Sequence, residues 1–169
     1  MVQNTKKITT KQLVMMAMLI ALQIILSRFL SISAWNMKIG FSFLPIALAG
    51  ILFGPIHAGL VAVISDIIGA ALFPTAQFLP GFTLTACIVG ILYGFLHKNP
   101  SNMRILVIVL LTELIGSLFL NTLWLSQLYH TPYMVLLPTR IFRCVVNGVI
   151  EFLGIRLMAG FSPHLQRAV

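Results

Sequence analysis

The sequence predicts an all-α integral membrane protein, a bundle of six transmembrane helices with cytoplasmic N- and C-termini. Two observations carry this prediction. Of the 169 residues, 59% are hydrophobic and 8% charged, with a mean hydropathy of +1.03, whereas soluble domains carry roughly a quarter charged residues. Apolar runs close to the ~20 residues needed to cross a bilayer alternate with short breaks rich in proline, glycine or polar residues. No aqueous fold hides this much apolar surface, and the length leaves no room for a soluble domain beside the spans. Residues 1–169 therefore read as a single membrane-embedded domain.

The first helix is expected from about Lys11 to Ile32. Lys6, Lys7 and Lys11 precede it, and Ser31 and Ser33 imitate a signal-peptide cleavage site. The run is longer than a signal peptide's apolar region and contains Arg28, so it reads as a retained helix. Ser33 to Gly40 reads as a polar-aromatic loop holding Trp35, Asn36 and Lys38. A short second helix, about Phe41 to Phe53, ends at Gly54-Pro55, where glycine permits a tight turn and proline removes a backbone donor. The third helix runs from about Ile56 to Phe73, and a loop from Pro74 to Gly81 carries prolines at its start and near its end. The fourth covers about Phe82 to Leu96 and stops at a polar turn around Pro100. The fifth spans about Met103 to Gln127, and after a turn at Leu128 to Pro132 the sixth spans about Val135 to Gly160.

Six spans place both termini on one side, and the cations then sort. Lys6, Lys7, Lys11, Lys98, Arg104, Arg156 and Arg167 fall on that side, and Arg28, Lys38, Arg140 and Arg143 on the other, seven against four. Cytoplasmic termini follow from the excess of positive charge on the inner face. Eleven cations against three acids give a net charge of +8. In a soluble chain that excess would suggest nucleic acid, but here most cations lie between or within apolar segments, where they set topology or serve a buried site.

Charges within a bilayer are costly and usually face a cavity or a partner. Counting ~1.5 Å of rise per residue puts Arg28, Arg140, Arg143, Asn147, Asn121, Trp124, Phe82 and Thr83 at one outer level, with Trp35 and Lys38 in the loop above. Arg140 and Arg143 are three apart and share a helix face, which Asn147 continues. Arginine forks hold carboxylates in pairs of bonds and aromatic faces stack on rings, a mixture suited to a planar aromatic ligand with anionic groups. The competing reading has Arg28 and Arg140 reaching out to lipid headgroups. Three acids, Asp66, Glu113 and Glu151, lie deeper and at similar depths. Asp66 reads as a pocket residue, whereas Glu113 and Glu151 read as partners in internal ion pairs with Arg143 or Arg156; a proton or sodium site is a further reading.

Several function classes find no support. His57, His97, His130 and His164 lie near helix ends or in loops with no metal-ligand spacing, and Cys87 and Cys144 read as packing residues. Neither a metal nor a cofactor is expected. No nucleotide-binding or nucleophile motif occurs, so the chain does not read as an enzyme, and energy for any uptake must come from a partner or an ion gradient. Ala17 and Ala21 form a small-xxx-small step through which another helix can approach closely, as do Gly90 and Gly94.

Stretches along nearly the whole chain resemble a known family. They are Ser27-Arg28-Phe29-Leu30-Ser31-Ile32, Lys38-Ile39-Gly40-Phe41-Ser42-Phe43-Leu44-Pro45, Ala49-Gly50-Ile51-Leu52-Phe53-Gly54-Pro55, Ser65-Asp66-Ile67-Ile68-Gly69, Phe78-Leu79-Pro80-Gly81-Phe82-Thr83-Leu84 and Pro138-Thr139-Arg140. They are similar to the membrane-embedded S components of energy-coupling factor (ECF) vitamin transporters, and most to the folate-specific branch. The resemblance implies a multi-pass protein of the bacterial plasma membrane that binds folate in an outward-facing pocket capped by the first loop. It implies partners as well: a transmembrane coupling subunit (T component) docked on Ala17 and Ala21, and two cytoplasmic ATPase subunits. Under it, Arg28, Arg140 or Arg143 would take carboxylates or polar ring edges, Phe82 and Trp124 would stack, and Asp66, Asn121 and Asn147 would read the ring. Another vitamin, such as thiamine or riboflavin, and an autonomous ion-coupled transporter using the three acids are the alternatives.

Overall fold

A computed structural model describes residues 9–34, 37–74, 79–97 and 100–168. The chain is helical over most of its length. Helix α1 (Thr10–Arg28) opens with a capping box, in which the Thr9 hydroxyl accepts from the Gln12 amide and the Gln12 side chain accepts from the Thr9 amide. This reciprocal pair satisfies two otherwise orphaned donors. The region read from sequence as a loop is in part an antiparallel hairpin, β1 (Ser31–Ala34) and β2 (Met37–Gly40), in a register that sets Ile32 opposite Ile39 and Ser33 opposite Lys38. The expected extension of α1 to Ile32 is therefore lost to β1. Ser31 Oγ donates to Ser27 O at 2.7 Å, tying the hairpin to the end of α1.

Helix α2 (Phe43–Phe53) meets α3 (Pro55–Leu72) at Gly54, whose φ of 86° is a left-handed value that favours glycine. Helix α4 (Pro80–Gly94) follows, with proline in its first turn, where the missing N–H costs nothing. Helix α5 (Asn102–Tyr129) passes through a π-helical stretch over Thr112–Asn121. His130 then turns the chain in the left-handed region, and α6 (Tyr133–Ala168) runs on past the expected end of the last helix.

Among the described residues α1, α3 and α5 are long and apolar enough to cross a membrane, while α2 and α4 are shorter apolar helices. The outside is apolar: Met18, Ile56, Met103, Met134 and Leu157 are all exposed. The core gathers Phe43, Ala47, Ile51, Tyr93, Leu96, Ile105 and Ile155.

Two packing features position the site. The first is the seam of α3 with α4, the most extensive helix pair. A Cβ on Gly90 would lie 2.7 Å from Ala58 O, and one on Gly94 would collide with Pro55. Glycine here lets two backbones touch, the usual device where lipid removes the hydrophobic drive between helices. The second is the shortness of α2. Its 11 residues span about 16 Å, roughly half of a ~30 Å hydrocarbon core, and the β-hairpin leads into its start. Non-helical backbone at such depth is tolerated where it is buried in protein or lines a cavity, and the end of β2 does line one.

Candidate functional site

Two polar stripes face each other in the bundle. On α6, Arg143, Asn147 and Glu151 recur every four residues, and on the π-helical part of α5 so do Glu113, Ser117 and Asn121. Residues at that spacing share a helix face. Where the stripes meet, a hollow of about 150 Å³ opens. The six stripe residues line it, together with Thr112 and Gly116 of α5, Val89 and Tyr93 of α4, Gly40 of β2, and Ser42, Phe43 and Ile46 where α2 begins. Arg143 and Asn121 stand nearer the hairpin end of their helices, and Glu113, Glu151 and Tyr93 form the floor.

The floor is a hydrogen-bonded chain. Asn147 Nδ2 donates to Glu113 Oε1 at 2.8 Å and to Glu151 Oε1 at 2.9 Å. The Tyr93 hydroxyl donates to Glu151 Oε2 at 2.7 Å. All four side chains are buried, with Glu113, Asn147 and Glu151 each 6% exposed. Buried carboxylates are costly unless hydrogen-bonded or paired, so one amide bridging two of them is a strong constraint on how α5 and α6 sit. Two atoms in this chain, Glu113 Oε2 and Asn147 Oδ1, are buried without a hydrogen-bond partner. Nearer the hairpin end, Arg143 Nη1 donates to Ser117 Oγ at 3.0 Å.

The hollow brings together three of the residues singled out by sequence, Asn121, Arg143 and Asn147. Arg140 lies one turn from Arg143, 2% exposed, with Nε lacking a hydrogen-bond partner among the described residues, and it is not part of the lining. Arg28, Asp66, Phe82 and Thr83 belong to α1, α3 and α4, and Trp124 of α5 reaches toward α4. Asp66 accepts from Thr83 Oγ1 at 2.8 Å, away from the hollow. The Arg28 guanidinium packs over Gly69, whose added Cβ would meet its Nε at 3.1 Å. The Trp124 ring covers Gly81 and its Nε1 donates to Thr85 Oγ1 at 3.1 Å. Phe82 is half-buried on α4 and also outside the lining. Lys38 belongs to β2, opposite Ser33, and Trp35 falls outside the described residues. Ala17 and Ala21 are exposed on α1, whose buried residues are Met16 and Leu19.

Of the two arginines read from sequence as ion-pair partners for the glutamates, Arg143 lines the same hollow as Glu113 and Glu151 and Arg156 is exposed, and the glutamates are hydrogen-bonded to Asn147 and, for Glu151, Tyr93. Tyr93, Ser117, Phe43 and the Gly40–Ser42 approach were missed altogether. A signal existed for the acids: the four-residue recurrence of polar side chains at 113, 117 and 121 and at 143, 147 and 151 is written in the sequence.

An apolar-skinned helical bundle that encloses a polar hollow is the build of a membrane solute-binding subunit. The model of the family "ECF transporter, substrate-specific component" matches residues 11–156, and the chain belongs to this family. It is an integral membrane protein of a transporter family, not of an enzyme family. The Folate transporter FolT of Clostridium novyi (strain NT) is 40% identical over 131 residues, 76% of each chain. That of Leuconostoc mesenteroides is 38% identical over 130 residues, 75% of this chain and 70% of the relative. A crystal structure of FolT bound with folic acid superposes with a TM-score of 0.84 at 32% identity, covering 89% of this chain and 93% of that one. The S-component for biotin from an ECF-type ABC transporter shares the fold, with a TM-score of 0.70 at 20% identity over 99% of this chain and 95% of that one.

Proposed function

We propose that the chain binds folate and serves its uptake as the substrate-binding subunit of an ECF-type transporter, with a coupling subunit and two ATPases as partners. The observation that carries this is the hollow itself. It places an arginine, two amides and two carboxylates inside an apolar bundle, where ionisable groups persist chiefly for function. Folate has the matching inventory, a flat pterin with N–H donors at one end and two carboxylates at the other. The relatives named FolT, and the FolT structure with folic acid, support the same reading.

In this proposal the chain crosses the membrane six times with cytoplasmic termini, supported by seven cations against four. Asn121, Arg143, Asn147 and Glu113 contact the ligand from α5 and α6, with Arg140 beside them. The first loop, whose hairpin brings Gly40 to the lining, caps the hollow. Arg28, Asp66, Phe82 and Thr83 hold the opposite side of the bundle together, and Trp124 ties α5 to α4. Ala17 and Ala21, exposed on α1, receive the coupling subunit through their small side chains.

Calorimetric titration of the purified chain tests the ligand. Saturable folate binding with no riboflavin binding is the expected result, and equal binding of both, or of neither, discards the assignment. Uptake by vesicles that lack every ATPase subunit would replace the coupled mechanism with an ion-driven one.

A further inference from the structure

Every residue that α5 contributes to the hollow lies in its π-helical stretch. Thr112, Glu113, Gly116, Ser117 and Asn121 line the hollow, and the stretch is Thr112–Asn121. The winding decides whether these residues share a face. An α-helix turns ~100° per residue, so the steps from Thr112 to Asn121 would make about two and a half turns and set the two on opposite sides of the rod. The wider π turn advances about 80° per residue, and the same steps then bring Asn121 back over Thr112 after about two turns. Exposure follows the wider period. Leu114, Ile115 and Phe119 face outward, while Thr112, Glu113, Gly116 and Ser117 are buried. Under α winding Phe119 would fall on the face of buried Thr112, yet it is 57% exposed.

A π stretch is rare, and something must hold it against the α-helix it would otherwise form. Three of its carbonyls accept side-chain bonds. Tyr133, at the start of α6, donates its hydroxyl to Leu118 O at 3.1 Å. The Thr122 amide goes to Phe119 O, while the Thr122 hydroxyl donates to Ser117 O at 3.3 Å, five residues back. Cys144 Sγ lies 3.8 Å from Glu113 O as a weaker third donor. A side-chain donor on a helix carbonyl draws it out of the α ladder. None of these three side chains lines the hollow. We infer that ligand binding requires α5 to be wound as a π-helix across the hollow, and that Tyr133 and Thr122 are positioning residues that hold this winding through Leu118 O and Ser117 O. The inference rests on the folate reading and adds to it the residues that keep the site assembled. Rewinding to α would turn Asn121 away from Thr112 and carry Phe119 inward, so the α5 wall of the hollow exists in one winding only.

The test is titration of folic acid into the purified full chain and its variants. Tyr133→Phe and Thr122→Val each remove one hydroxyl and keep the shape, and Thr122→Ser keeps the hydroxyl. Each loss of a hydroxyl is expected to weaken folic acid binding about threefold to tenfold, the scale of one neutral hydrogen bond, and the two together by more. Thr122→Ser is expected to bind within about twofold of the unmodified chain. The winding is read separately, from the distance between spin labels at exposed Leu110 and Gln127, attached through non-cysteine side chains so that Cys87 and Cys144 stay in place. An α-helix rises ~1.5 Å per residue and the π turn about 1.2 Å, so the variant lacking both hydroxyls is expected to lengthen by about 3 Å. Binding by that variant within about twofold of the unmodified chain overturns the inference. Weakened binding with no lengthening overturns it too, because the hydroxyls would then act on the ligand by another route, and so does Thr122→Ser binding as weakly as Thr122→Val. Tyr133→Phe alone is read by the same two measurements, so the outcome does not depend on the combined variant folding. Failure of the unmodified chain to bind folic acid would instead strike the folate reading, a separate outcome.

Discussion

The α3–α4 side and the α5–α6 side of this bundle solve opposite problems with the same kind of helix. Where α3 begins and α4 ends the contacts are glycine against backbone, at Gly90 on Ala58 and Gly94 on Pro55, and the two rods touch there, while toward the other end Thr83 bonds Asp66 across the seam. Along α5 and α6 the contacts are long polar side chains, from Arg143 to Ser117 and from Asn147 to both glutamates, and a hollow remains between them. Small residues let helices close; hydrogen-bonded polar residues hold them at a set distance. The first arrangement gives rigidity and the second gives space, so the bundle has one side to stand on and one side to bind with.

Inserting the same bulk on each side is the harshest test of this contrast. Gly90→Leu is expected to abolish folded protein, because its Cβ alone would press on Ala58 O and overpacking a tight seam costs about 1–3 kcal/mol or more. Monodisperse yield in size-exclusion chromatography reads it. Ser117→Leu is expected to yield folded protein that has lost folate binding, because it fills the hollow rather than a seam. Were Ser117→Leu the one that fails to fold, the roles of the two sides would be reversed.

Asn147→Ala comes next in expected effect. It removes the bridge between two buried carboxylates, so both thermal stability and folate affinity should fall, with a stability cost of about 1–3 kcal/mol measured by thermal unfolding in detergent. Asp66→Asn is expected to do less. Its amide oxygen can still accept from Thr83, so stability should change by under about 1 kcal/mol and folate affinity by less than about twofold. A tenfold loss of affinity there would move the binding side to α3–α4. Substituting Trp at Ala17 or Ala21, both exposed on α1, should leave folding and folate binding alone and reduce only co-purification of the coupling subunit.

Much of the helical layout was legible because apolar runs end where proline and glycine break them. Gly54-Pro55, Pro80 and Pro132 all sit within a residue or two of an observed boundary. The hairpin was not legible, since Ser31–Ala34 and Met37–Gly40 are too short to show an alternating pattern against the apolar background. Nor was the π-helical stretch, which has no marker residue in Thr112–Asn121. The site was half legible. Counting residues along a helix gives depth, and depth placed Arg143, Asn147 and Asn121 on one level. It does not give rotation about the helix axis, which advances ~100° per residue and decides what a side chain faces. Asp66 and Glu113 share a depth but point to different sides, and only the packing partners of α3 and α5 distinguish them.

The central claim is that the ligand sits between α5 and α6 on the polar stripes. A structure of this chain with folic acid bound measures it directly. The account predicts ligand density against Glu113, Asn147 and Arg143; density against Asp66 and Thr83, with the α5–α6 hollow unoccupied, would contradict it.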